Sequence, residues 1–271
     1  MTEGRGAGDR GGPDTQAEER VRLRVAPAGV APLPPPPWPG WLGPAALGVM
    51  TTVGAVPVAI ILAVRIAGGL SPEDIDPATL IPASAALLWQ LVADALCLAF
   101  LGWYLRRVRR LPPRRIGLGP TDRGWLLSAP IPIAAGCIVA NVIYSGAFLL
   151  VKGELPEFLM TGMLTQLDSP AEIALAALLA LLVAPLAEEA VFRLVIFGSL
   201  RRKLRPGAAI WLSALIFAAY HADPAAFVPL IILGVAFAWA YQRSGSILVA
   251  VITHVAFNVL GFASALLIPM D

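Results

Sequence analysis

The sequence predicts an all-α fold: a multi-pass transmembrane helix bundle of about seven spans, some of them broken or re-entrant. Three observations carry this expectation. Of 271 residues, 58% are hydrophobic and only 14% charged, and the mean hydropathy is +0.75; a soluble domain carries about a quarter charged residues. The apolar residues gather into runs close to the roughly 20 residues that cross a hydrocarbon core as a helix. The loops between those runs alternate between basic and acidic, as the positive-inside rule requires.

The first 40 residues stand apart. They mix Gly, Pro and both charges and end in Pro32-Leu-Pro-Pro-Pro-Pro-Trp-Pro. Such a composition buries too little apolar surface to order a backbone, so residues 1–40 read as a disordered cytoplasmic tail, with the proline run as a stiff spacer. No basic start runs straight into an apolar core, and no cleavable signal is expected. Residues 41–271 form the transmembrane domain. Its spans fall at about 42–64, 81–105, 125–151 and 173–200, then a short fifth from about 208 punctuated at Asp223-Pro224, a sixth at 225–241 and a seventh at 246–268. The fifth is the weakest, so it and the sixth are the candidates for broken or re-entrant helices.

Loop charges orient these spans. Arg106, Arg107, Arg109, Arg110, Arg114 and Arg115 follow the second span; Arg201, Arg202, Lys203 and Arg205 follow the fourth; Arg243 follows the sixth. The intervening loops carry Glu73, Asp74 and Asp76, then Glu154, Glu157, Asp168 and Glu172, then Asp223. This places the chain in the cell membrane with its N-terminus cytoplasmic and its C-terminus extracytoplasmic; Arg65 and Lys152 dissent. Trp103, Tyr104, Trp125 and Tyr241 fall near the expected interfaces, where aromatic belts form. Cys97 and Cys137 lie inside apolar runs, so no disulfide framework is expected. The arginine clusters lack interleaved aromatics, which argues against nucleic acid and for anionic lipid. Without an internal repeat the pattern does not favour a secondary transporter.

Function is legible in the polar residues that break the apolar runs. An ionisable side chain at membrane depth is costly to insert, so it marks a candidate site. Glu188 and Glu189 sit side by side in the fourth span, with Arg193 one helical turn beyond Glu189 and able to pair with it. Glu188 points about 100° away from Glu189 on a helix and has no such local partner. A desolvated, unpaired carboxylate suits a general base. The only two histidines follow: Phe217-Ala-Ala-Tyr-His221, and His254-Val-Ala-Phe-Asn258. His254 and Asn258 share one helix face, where an imidazole and a carboxamide can both donate to an oxyanion. Glu188 is about 20 Å of helix from Arg201 and His254 about 12 Å from Ser246, in the inner half of the bilayer or near its middle. Asp94, one turn from Gln90 in the second span, and Asn141 in the third are further intramembrane polar groups; the Asp94 pair either lines a pore or contacts another helix or the site cavity. Taken singly each motif has a structural reading, as a buried ion pair or as interhelical hydrogen bonding of around 1 kcal/mol.

Glu-Glu-x-x-x-Arg, Phe-x-x-x-His and His-x-x-x-Asn, in that order on successive spans, resemble the signature of the CPBP intramembrane proteases, which include the glutamate-type CAAX prenyl endopeptidases and their bacterial Abi relatives. The resemblance covers a protease-like core at 173–262. Leu194 departs from the glycine that many members carry after the arginine. The resemblance implies an intramembrane endopeptidase acting on a membrane-associated peptide or protein near the cytoplasmic face. Glu188 would activate water with His221 beside it, His254 and Asn258 would hold the oxyanion, and Glu189 and Arg193 would support them. It leaves two mechanisms open: a divalent metal such as zinc held by Glu188, His221 and His254, or a metal-free glutamate base. The other readings are a catalytically silent scaffold or bacteriocin self-immunity protein of the same fold, and a small transporter using Glu188 and Asp94.

Overall fold

A computed structural model describes residues 36–69, 81–118 and 123–267. Every element among them is helical: α1 (Leu42–Ala67), α2 (Ala83–Trp103), α3 (Arg123–Ser128), α4 (Pro130–Lys152), α5 (Leu159–Leu164), α6 (Pro170–Leu178), α7 (Ala184–Glu188), α8 (Gly198–Leu200), α9 (Pro206–Tyr220), α10 (Phe227–Ser244) and α11 (Ile247–Leu267). Five continuous helical stretches among the described residues are long and apolar enough to cross a membrane: Ala83–Arg107, Arg123–Lys152, Pro170–Leu200, Phe227–Ser244 and Ile247–Ser264. α1, at 26 residues, and α9, at 15, complete the seven helices that the sequence places as spans. Glu73, Asp74 and Asp76 lie outside the described residues.

The stretch Pro170–Leu200 opens on a capping box. Ser169 Oγ accepts from the Glu172 amide while the Glu172 carboxylate accepts from the Ser169 amide, and Pro170 stands at the first helical position, where its missing N–H costs nothing. The helix then widens twice, into π-helical turns at Leu179–Val183 and Glu189–Phe197. Pro185 has no N–H for the carbonyl of Leu181 and its ring crowds that carbonyl, which is a sufficient cause for the first widening. Widened turns of this kind concentrate at functional sites.

α9 and α10 pack antiparallel at unusually close range. A Cβ built on Gly234 would stand 2.8 Å from both the Cα and the Cβ of Ala214, so only glycine lets the two backbones meet there. α11 lies against α4 and α10, and α1 packs on the second π-helical turn. The three basic loops converge at one end of the bundle. Arg109 donates to Pro37 O, and Arg202 donates to Trp38 O at 2.7 Å and to Pro36 O at 3.3 Å; the Ile247 amide donates to Gly117 O at 3.1 Å beside Arg243. At the other end Asp223 accepts from the amides of Leu159 at 2.9 Å and Ala226 at 3.0 Å.

Two expectations change here. Residues 36–40, counted with the tail, are not loose. Trp38 is only 2% exposed and seats on Gly198, where a Cβ would come within 2.8 Å of its ring; residues 1–35 lie outside the described residues. Tyr241 is buried within the bundle rather than lipid-facing, edge-on to Phe197 with centroids 6.1 Å apart. Cys97 and Cys137 are both free.

Candidate active site

The second widened turn of the fourth span begins between the two neighbouring glutamates. Glu188 ends α7 and Glu189 begins the second π-helical turn. Glu189 and Arg193 pair as their spacing predicts, with Arg193 Nε 3.1 Å from Glu189 Oε2 and both side chains fully buried. The guanidinium is also sandwiched between rings, 4.5 Å from the Phe217 centroid and 5.4 Å from that of Phe237. Such stacking offsets part of the cost of burying the charge. Arg193 Nη1 and Nη2 have no hydrogen-bond partner among the described residues.

His221 stands immediately after α9. Its Nδ1 lies 2.8 Å from Phe217 O; a carbonyl only accepts, so Nδ1 carries the proton and Nε2 faces away from it. The turn beyond is strained, with Ala222 at φ +49°, a conformation that β-carbon residues rarely adopt, and the two amide bonds to Asp223 hold it. His254, on α11, has its Nδ1 3.0 Å from Glu189 Oε1, so it too donates from Nδ1. Its ring stacks on Phe237 at 4.7 Å.

Both Nε2 atoms therefore turn toward the same carboxylate oxygen. Glu188 Oε2 is 3.8 Å from His221 Nε2 and 3.9 Å from His254 Nε2, and it has no hydrogen bond within the described residues. Asn258 lies one turn along α11 from His254, and its Nδ2 donates to Ala180 O at 2.8 Å, in the first widened turn. The carboxamide thus ties α11 to the break in the fourth span, leaving a second N–H.

The donor types suit zinc, but the spacing is wide. Donors about 2.0–2.1 Å from one tetrahedral ion lie about 3.3 Å apart. Among the described residues no group of three or more His, Cys, Asp or Glu side chains is arranged to hold a metal ion.

With this geometry in place, the comparison with known families is decisive for the C-terminal part of the chain. Residues 170–260 match the family described as Rce1-like, type II CAAX prenyl endopeptidase Rce1-like. Over this segment the chain is similar to an Rce1-like protease domain. No curated protein and no solved structure is significantly similar to the chain. The matched segment takes in the fourth span, α9, α10 and the first two thirds of α11, and so holds the six polar residues of the three motifs: Glu188, Glu189, Arg193, His221, His254 and Asn258. The matched family is one of prenyl endopeptidases, and the long apolar helices are those of a membrane protein. The sequence left out the aromatic support. Phe217 and Phe237 both lie against Arg193 and back the two imidazoles. The four-residue step from Phe217 to His221 was a usable signal for the first; nothing in the sequence marked the second.

Proposed function

We propose that the protein is an intramembrane endopeptidase in which Glu188 is the base that activates water. The observation that carries this is the convergence of Glu188 Oε2 with the two Nε2 atoms, each imidazole held by a bond from its other nitrogen. Separations of 3.8 and 3.9 Å are too long for direct hydrogen bonds, and they suit one small polar atom bridging the groups at about 2.8 Å. A water bonded there gives its proton to Glu188 as its oxygen attacks the scissile carbonyl carbon. The tetrahedral oxyanion is met by donors. His254 donates from Nε2 when it carries its second proton, with Glu189 as counter-charge on Nδ1, and the free N–H of Asn258 lies on the same helix face. Glu188 then returns the proton to the leaving nitrogen as the C–N bond breaks, yielding a carboxylic acid and an amine, and the acid's proton passes to the amine to leave a carboxylate and an ammonium. Two carboxylates facing Arg193 and one imidazolium leave the buried cluster near neutrality, which a membrane interior requires.

This reading is metal-free. The 3.8 and 3.9 Å spacings support it, and no step above passes through an ion. The substrate is a membrane-associated peptide or protein tail, and the arginine-bearing face is cytoplasmic by its charge. The test compares peptides released in membranes holding wild type and Glu188→Gln. Loss of a general base costs about 10²–10⁴-fold, so the peptides dependent on wild type vanish in the variant while its thermal stability is retained. Treatment with a chelator leaves wild-type cleavage intact. An unchanged peptide set in Glu188→Gln removes the reading; loss of cleavage on chelation, restored by zinc, removes its metal-free form.

A further inference from the structure

A second polar site lies beside the first, in a cavity of about 390 Å³ between α1 and α2. The two helices run antiparallel, and their register is fixed where Trp89 Nε1 donates to Val53 O at 3.1 Å. Trp41 and Leu101 therefore line the cavity near the arginine-bearing face, Met50 lines it further in, and Gln90, Asp94 and Tyr220 line its deep end. Asp94 is about 13 Å of helix inside the end of α2. Tyr220 is the residue before His221, and its ring packs on that imidazole with centroids 5.8 Å apart. The deep end of the cavity thus abuts the candidate active site.

Apart from this end the cavity wall is almost wholly apolar. Asp94 is 2% exposed; Oδ1 accepts from Gln90 Nε2 at 2.9 Å, and Oδ2 has no hydrogen bond among the described residues. A buried carboxylate oxygen without a partner is costly. The arrangement is complementary to a cation on a long aliphatic stem: the stem lies along the apolar wall and the head reaches the carboxylate.

We propose that this cavity is the subsite that receives a lysine or arginine side chain of the peptide substrate, with Asp94 as its counter-charge. The assignment rests on the protease reading above and adds a selectivity to it. A substrate with a basic residue among apolar neighbours is drawn down from the arginine-bearing face, and its backbone is held against Glu188. An acidic side chain, or a free terminal carboxylate, is repelled from the same end.

The test separates binding from cleavage. Glu188→Ala protein in neutral phosphatidylcholine nanodiscs is titrated with three 14-residue Leu/Ala peptides carrying a central lysine, norleucine or glutamate, and binding is read by native mass spectrometry. The lysine peptide binds at least about tenfold more tightly than the norleucine peptide, as expected for a desolvated charge pair, and the glutamate peptide binds weakest. Adding Asp94→Asn removes the order; adding Met50→Trp, which fills the cavity from α1, weakens the lysine peptide without touching the carboxylate. Equal binding of lysine and norleucine peptides, a preference that survives Asp94→Asn, or lysine binding unmoved by Met50→Trp overturns the proposal. Lysine-selective binding without any Glu188-dependent cleavage keeps the subsite and removes the protease; cleavage without the selectivity does the reverse.

Discussion

At the scale of single residues, Arg193 is constrained on every side that the contacts describe. It is fully buried, paired to Glu189 and held between Phe217 and Phe237. Removing one member of such a pair strands the other charge in a low-dielectric interior, at about 3–5 kcal/mol. Arg193→Leu is therefore expected to lower the melting temperature sharply in detergent, and to abolish cleavage by freeing Glu189 from its place against His254. Arg193→Lys keeps the charge but not the planar stacking surface, so it falls between the two. Equal melting temperatures for wild type and Arg193→Leu would show that the pair is not a keystone of the core. The pairing was readable in the sequence because four-residue spacing is a local property. The aromatic sandwich was not, because Phe237 reaches Arg193 only through the packing of α10 on the fourth span, and no spacing encodes that.

At the scale of the elements, the decisive feature is the double widening of the fourth span. The sequence shows one long apolar run, and the run length does predict a span. It does not predict that the helix widens at Leu179–Val183 and again at Glu189–Phe197. Pro185 was visible, but a proline kinks, widens or merely bends a helix according to what neighbouring helices supply. Here the neighbour is α11, whose Asn258 donates to Ala180 O in the first widened turn. Substituting Pro185→Ala returns the missing amide and removes the ring clash. The expected result is a helix nearer to regular pairing, more resistant to heat but less active, because regular pairing rotates Glu188 away from His221 and His254. The paired measurements are the melting temperature and the Glu188-dependent release of peptides. A variant that gains stability and keeps full cleavage would show that the widened turn does not aim the base.

At the scale of the whole molecule, the pattern of loop charge and the pattern of contacts agree on which loops share a face. Charge alone groups the loops after the second, fourth and sixth spans. The hydrogen bonds join the same three, through Arg109 and Arg202 on the Pro36–Trp38 segment and through Gly117 on Ile247. The opposite loops meet through Asp223 and Leu159. Relative topology was thus legible from charge. α9 starts at the basic face and runs about 22 Å before His221, close to the about 20 Å of helix that separates Glu188 from Arg201. The positive-inside rule predicts the absolute orientation, with the basic loops in the cytoplasm. Single cysteines test it in a background where Cys97 and Cys137 are replaced by alanine. Lys203→Cys, in the basic loop, is expected to react with a membrane-impermeant maleimide only after the cells are permeabilised. Glu154→Cys, in an opposite loop, is expected to react in intact cells. The reverse pattern would turn the bundle over, and with it the face from which a substrate reaches Asp94 and Glu188, while leaving the internal geometry of the site untouched.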